Sequence, residues 1–181
     1  MNKWSAAAAV ALFVAGTAVA QTHQPYAGQE TRDVKALSPQ QIDDLRAGRG
    51  MGLALAAELN GYPGPMHVLE LADRLSLDPM QRERIEALLA AMRQEAIEAG
   101  ERLLAAEAAL DRQFAERRVT EASLAAGTQA IAALQGELRA THLRYHLATV
   151  EILSPAQIAR YGELRGYSGA TGSDGNRHRR H

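Results

Sequence analysis

Two long heptad patterns constrain the fold of this chain more than any other feature of its sequence. Between residues 85 and 110, and again between 124 and 152, apolar or small residues recur at alternating steps of four and three. The first seam consists of Ile85, Leu89, Met92, Ala96, Ala99, Leu103, Ala106 and Leu110, and the second of Leu124, Gly127, Ile131, Leu134, Leu138, Thr141, Tyr145, Ala148 and Ile152. Seams of this length are typical of long α-helices that pack side by side. The sequence therefore predicts an all-α protein.

A short turn separates the two predicted helices. Residues 117–119 interrupt the heptad pattern, and Thr120 can cap the helix that follows. We predict a long antiparallel helical hairpin, Asp78–Phe114 with Thr120–Ile152, on the order of 50–60 Å long. Two short helices, predicted at about residues 66–75 and 155–164, are expected to flank the hairpin and complete a four-helix core. Two more are predicted ahead of that core, at about residues 38–47 and 51–59.

The frame Leu-(Ser/Asp)-Pro-x-Gln occurs three times and predicts three helix starts. Ser or Asp can cap the free amides, and proline suits the first helical position because its missing donor is not needed there. Glutamine three residues after the cap can bond back to the cap's own amide and close a capping box. The copies are Leu37-Ser38-Pro39-Gln40-Gln41, Leu77-Asp78-Pro79-Met80-Gln81 and Leu153-Ser154-Pro155-Ala156-Gln157.

The first twenty residues have the pattern of a cleaved export signal. Lys3 precedes an apolar run, and Ala18-Val19-Ala20 forms an A-x-A cleavage site. We expect cleavage after Ala20 and a periplasmic location. The chain contains no cysteine, so the exported protein must be stabilised by packing and not by disulfides. We expect no transmembrane segment in the mature chain, because no later stretch reaches about 18 apolar residues.

The rest of the chain divides into four predicted segments. Residues 21–36 are polar and form a flexible leader, and residues 37–65 form a helical extension. Residues 66–167 form the main helical domain. The last segment, 168–181, is rich in Gly and Ser and then basic, and is predicted to be disordered.

Charge and motif content argue against two functional classes. Without Lys3 the chain has 19 basic and 21 acidic residues, a net charge of about −2, whereas a nucleic-acid-binding protein needs a basic surplus. There is no cysteine nucleophile, no G-x-S-x-G elbow and no H-E-x-x-H pair. We therefore predict that the protein is neither an enzyme nor a nucleic-acid-binding protein.

A second apolar stripe runs along the end of the second long helix. Leu143, Leu147 and Val150 lie on nearly the opposite side from the seam. A helix that is apolar on two faces must be covered twice, either by the short helices or by a second subunit. This pattern favours a homodimer.

Histidine spacing suggests a metal site. His142 and His146 are four residues apart on one helical face, a spacing at which two imidazoles can share an ion. His67 and Glu70 could join them if the helix that carries them packs beside the end of the hairpin. Such ligands suit Zn, Ni or Cu. The alternative is that these histidines are ordinary, partly buried polar groups and that no cofactor binds.

A second candidate metal site depends on cleavage of the signal. A new amino terminus at Gln21 would place His23 at position three, where its imidazole can complete a square-planar nitrogen site for Cu(II) or Ni(II). Cyclisation of Gln21 would block the terminal amine and remove this site.

The export signal, the helical hairpin and the paired frames at residues 77–81 and 153–157 resemble the Spy/CpxP family of periplasmic proteins. The resemblance covers roughly His67 to Tyr167. It implies a cradle-shaped homodimer and an ATP-independent, chaperone-like role in envelope stress, in which partly unfolded clients are held. An apolar patch formed by Leu143, Leu147 and Val150 is then the client-binding surface, unless it is the dimer contact.

Some relatives in the same family, such as CnrX and ZraP, bind heavy metals, which implies a metal-sensing or resistance role as the alternative function. The CnrX-type pattern of ligands is not reproduced here. Leu71 stands where a second histidine is expected after His67, and Leu89 stands at the position of a carboxylate. A metal site in this chain would need a rearranged set of ligands.

Overall fold

A computed structural model describes residues 25–167 of the chain. Within that range the regular structure is entirely helical, which confirms the predicted all-α class. A 3₁₀ turn at Gln29–Thr31 precedes six α-helices: α1 (Pro39–Arg46), α2 (Leu55–Glu58), α3 (Pro65–Glu70), α4 (Pro79–Ala115), α5 (Glu121–Val150) and α6 (Pro155–Arg165). The predicted export signal, His23 and the segment 168–181 lie outside the described residues.

Capping boxes form at all three copies of the Leu-(Ser/Asp)-Pro-x-Gln frame. Ser38, Asp78 and Ser154 each accept a hydrogen bond from the backbone amide of the glutamine three residues later. Each glutamine carbonyl oxygen accepts in turn from the cap's own amide. The start of α5 has the same arrangement, with Thr120 and Ser123. These are local interactions, which is why the positions of the helix starts could be predicted from sequence.

The two long helices pack along one another in opposite directions. Arg102 on α4 bonds to Glu137 on α5. Glu95, nearer the start of α4, bonds to Arg144, nearer the end of α5, so the two helices run antiparallel. A Cβ on Gly127 would lie 3.3 Å from Leu110, so the small residue allows close approach near the turn. The 37 residues of α4 correspond to a length of about 55 Å.

Two apolar clusters stabilise the molecule. The first joins α1 to the middle of the long helices and contains Leu45, Ala96, Ala99, Leu103, Leu104, Ile131 and Leu138. The second lies where α3, α6 and the start of α4 meet and contains Val68, Leu75, Ile85, Leu153 and Tyr161. Every described seam residue is buried or half-buried, as the heptad pattern requires.

The extension 37–65 packs closely on α4. Gly100 of α4 faces the end of α1, where a Cβ would lie only 2.7 Å from the carbonyl oxygen of Leu45. Gly48 makes the reverse contact, since a Cβ there would lie 2.8 Å from the carbonyl oxygen of Arg93. Ahead of the extension, Val34 is buried and Lys35 pairs with Asp111 at 3.0 Å. Part of the segment predicted as a flexible leader therefore contacts the long helices.

Two of the short helices differ from their predicted bounds. The helix expected over residues 51–59 is limited to α2, because Met51 and Gly52 adopt positive φ angles of 45° and 78°, which no right-handed helix permits. The helix expected over residues 66–75 ends at Glu70 and continues as turns to Ser76, whose φ is also positive. Among the helices of residues 25–167, none has both the length and the hydrophobicity needed to cross a membrane.

Candidate functional site

A cleft of about 650 Å³ lies between the extension and the long helices. Its outer wall runs from Ala47 to Glu58 and from Gly64 to His67, and its inner wall comes from α4 and α5. The side chains facing it are mainly apolar or histidine. The apolar ones are Met51, Leu55, Met66, Leu89 and Met92, and the histidines are His67, His142 and His146.

Large apolar side chains at the cleft are accessible to solvent. Met51 and Met66 are each 40% exposed and Leu55 is 55% exposed, whereas Met92 is buried. Leu59 and Tyr62, which belong to the same extension, are also exposed. Arg93 supplies positive charge to the wall, whereas Arg49 is paired with Asp44 at 2.6 Å. The cleft is therefore an open apolar surface with charged groups at its edge.

Gly64 gives His146 its place in the cleft. A Cβ at position 64 would lie 2.8 Å from Cε1 and 2.9 Å from Nε2 of the imidazole, so only glycine leaves room for the ring. The Nδ1 atom of His146 lies 2.6 Å from the carbonyl oxygen of Tyr62. Since a carbonyl oxygen can only accept, Nδ1 carries a hydrogen and donates it to the carbonyl of Tyr62.

His142 is almost completely buried, with 2% of its surface exposed. Its Nε2 atom is buried and has no hydrogen-bond partner among residues 25–167, and its Nδ1–Cε1 edge faces Gly50 in the wall of the cleft. Burial, and to a lesser degree the charge of His146, lowers the pKa of His142 below its usual value. Burial therefore favours the neutral form of this ring.

The structure brings three of the four predicted metal-binding side chains to one cleft. His67, His142 and His146 all line it, whereas Glu70 is exposed and bonds to Nδ1 of His67 at 3.0 Å. The part of the chain that the structure describes contains no group of three or more His, Cys, Asp and Glu side chains arranged to hold an ion. The divalent metal site remains a prediction.

Glu58 is a buried carboxylate at the base of the cleft that sequence reasoning missed. Its Oε1 atom accepts hydrogen bonds from the hydroxyl groups of Tyr161 and Tyr167, and its Oε2 atom accepts from the amide of Gly64 at 3.3 Å. The guanidinium of Arg165 lies 3.6 Å away. Burial, followed by the hydrogen bond and negative charge of Glu58, raises the pKa of Tyr161. This cluster links the extension to α6.

One signal in the sequence could have identified Glu58. It is the only charged residue in the apolar run from Met51 to Leu59. A single carboxylate within an apolar segment must either reach solvent or find buried donors. The donors here are on α6 and just beyond it, about a hundred residues away, and no sequence pattern connects them to Glu58.

The apolar stripe on α5 is partly exposed. Leu147 is 54% exposed, and Leu143 and Val150 are half-buried. Leu147 follows His146 in the chain, but consecutive helical residues point about 100° apart, and Leu143, Leu147 and Val150 are not among the residues that line the cleft. The stripe is therefore a second apolar surface on α5.

The second and third copies of the helix-start frame meet in the tertiary structure. The side-chain amides of Gln81 and Gln157 bond to each other at 2.9 Å in both directions. Gln81 also donates to the carbonyl oxygen of Ile152, and Gln157 donates to that of Leu75. Leu77, Leu153 and the caps bring the starts of α4 and α6 together around this pair.

No protein-family model matches the chain, and neither the curated proteins nor the solved structures include a significant match.

Proposed function

We propose that this protein is a periplasmic, ATP-independent chaperone-like protein that binds apolar segments of partly unfolded clients. The observation that carries the proposal is the open cleft, with Met51, Leu55 and Met66 exposed along it. Contiguous exposed apolar surface on a folded protein commonly marks an interaction site. The resemblance to the Spy/CpxP family supports the same role.

The composition of the cleft suits clients of varied sequence. Methionine side chains are flexible and polarisable, so they can adapt to different apolar partners. Arg93 also lines the cleft and can attract acidic groups on the client, whereas Arg49 is paired with Asp44. Weak binding of this kind permits release without nucleotide, and the sequence has no phosphate-binding loop.

The cradle and the homodimer are part of the same proposal. A second subunit that covered Leu143, Leu147 and Val150 would protect the α5 stripe and place two clefts in one assembly. The half-exposed state of this stripe in the single chain supports the idea.

The test is an aggregation assay with a chemically unfolded client and the mature protein without nucleotide. Leu55→Ser combined with Met66→Ser should reduce protection severalfold, because both changes place hydroxyl groups on the apolar wall. Met80→Ser is the matched control, since Met80 is 71% exposed and lies outside the cleft. Thermal unfolding of each variant checks that it is folded.

Equal protection by the wild type and the Leu55/Met66 variant would exclude the cleft as the client site. Absence of protection by the wild type with several clients at equimolar ratio would exclude the chaperone-like role.

Heavy-metal binding is the second candidate function, supported by the presence of His67, His142 and His146 in the lining of one cleft. Calorimetry with Zn(II), Ni(II) and Cu(II) tests it, with a His142→Ala/His146→Ala variant as the comparison. Wild-type binding weaker than about 10 μM, roughly −7 kcal/mol, would leave the histidines as structural groups.

A further inference from the structure

Methionine sulfurs and histidine nitrogens lie together in the lining of the cleft. The full sequence has five methionines, and three of them, Met51, Met66 and Met92, line this one cavity together with His142 and His146. Met51 is held there by a backbone of positive φ, which is an unfavourable conformation for a residue with a side chain. Its position is therefore not a consequence of regular helix geometry.

Carboxylate ligands are scarce at the same place. Glu58 is the only acidic residue in the wall, and its oxygens already accept from Tyr161, Tyr167 and Gly64. A divalent ion bound by neutral side chains would keep its full charge in a partly desolvated site, which is costly. The donors that remain are thioethers and imidazoles.

Both imidazoles are prepared to act as ligands. Histidines that bind metals usually donate their other ring N–H to a carbonyl or carboxylate, and His146 donates to the carbonyl of Tyr62 in this way. The ring of His142 is buried, and its Nε2 atom has no hydrogen-bond partner in the part of the chain that the structure describes. A buried polar atom without a hydrogen-bond partner is unusual in a folded protein. It indicates either that a ligand binds there or that the fold is destabilised by the unpaired atom.

We propose that the cleft binds Cu(I) through the thioethers of Met51 and Met66 and the imidazoles of His142 and His146. Thioether sulfur is a soft ligand and favours Cu(I) over harder divalent ions, and a single positive charge is the least costly to hold among neutral donors. The site does not depend on the chaperone-like role. It also differs from the predicted divalent site, because sulfur replaces Glu70.

Cu(I) titration of the mature protein under anaerobic, reducing conditions, against a chromophoric Cu(I) chelator, tests this site. We expect one equivalent to bind. Met51→Leu combined with Met66→Leu should weaken binding at least tenfold, while the control Met80→Leu should leave it unchanged. Leucine keeps the wall apolar, so a loss of copper affinity in the double variant reports the loss of sulfur and not a change in the polarity of the cleft.

X-ray absorption of the complex should show both sulfur and nitrogen neighbours of copper. His142→Gln should also weaken binding, and His23→Ala should have no effect. Three results would overturn the proposal: equal affinity in the Met51/Met66 double variant, a copper environment without sulfur, or loss of binding in His23→Ala, which would place the ion at the amino terminus. Failure of the wild type to compete with the chelator would overturn it as well.

Discussion

The single side chain of Glu58 is expected to contribute strongly to the stability of this small helical protein. Its carboxylate is buried, and two tyrosine hydroxyls and one backbone amide donate to it. Hydrogen bonds to a charged acceptor stabilise more than neutral ones, and their loss leaves buried donors without partners. Because its partners lie on other segments, Glu58 holds the wall of the cleft against the carboxyl-terminal helix.

Replacement of Glu58 by alanine should lower the free energy of unfolding by about 3 kcal/mol, because buried donors would lose their shared acceptor. Chemical denaturation measures this change. Glu101→Ala is the matched control: Glu101 is more than half exposed and lies 3.8 Å from Arg46, so a change within about 0.5 kcal/mol is expected. Equal effects of the two substitutions would mean that the buried cluster contributes little.

His142 should make stability depend on pH. Burial lowers its folded pKa below the usual 6.5, so the unfolded chain takes up a proton more readily. Stability is therefore fully present above about pH 6.5 and falls as the pH drops through the lower folded pKa. Denaturation curves between pH 7 and pH 5 should show this slope, and His142→Gln should flatten it. An unchanged slope in the variant would assign the effect to other groups.

At the scale of elements, three nearly identical helix starts have different tertiary roles. Gln41 closes its capping box on an exposed surface, whereas Gln81 and Gln157 also bond to each other and to backbone carbonyls of other segments. The capping function follows from the frame itself, because all its partners are within four residues. The link between α4 and α6 could not be predicted, because it depends on how distant segments pack.

Gln157→Ala should therefore destabilise the protein more than Gln41→Ala. We expect a loss of about 2 kcal/mol at position 157, where capping and interhelix bonds disappear together, and about 0.5–1 kcal/mol at position 41. Thermal or chemical denaturation of the two variants gives the comparison directly. Equal losses would show that the Gln81–Gln157 pair adds no stability beyond the capping box.

At the scale of the whole molecule, the heptad seams explain why α4 packs on α5. The extension 37–65 supplies the outer wall of the cleft. The seams repeat regularly, so their buried faces could be assigned from sequence. The extension has no comparable repeat of apolar residues. Its path depends on positive φ angles at Met51 and Gly52 and on close contacts at Gly48 and Gly100, and these contacts become identifiable only once the long helices are in place.

The proposed homodimer makes a prediction at this scale. Light scattering of the mature protein should give the mass of two chains, and Leu147→Arg should shift it towards one, because a charge would then lie in the apolar contact. Phe114→Arg is the control, since Phe114 is similarly exposed but lies at the far end of α4. A monomeric wild type would contradict the dimer. Reduced client protection by Leu147→Arg at unchanged mass would assign the stripe to clients.

The sequence by itself determined the helical class, the helix starts and the buried faces of the long helices, because caps and heptads depend on residues close together in the chain. Only the tertiary structure decided that Glu58 meets Tyr161, that Gln81 meets Gln157, and that methionines of the extension share a cleft with His142 and His146. These groups are separated by roughly 75 to 105 residues. These contacts form only when several helices pack together. They therefore cannot be predicted from patterns of residues that are close together in the chain.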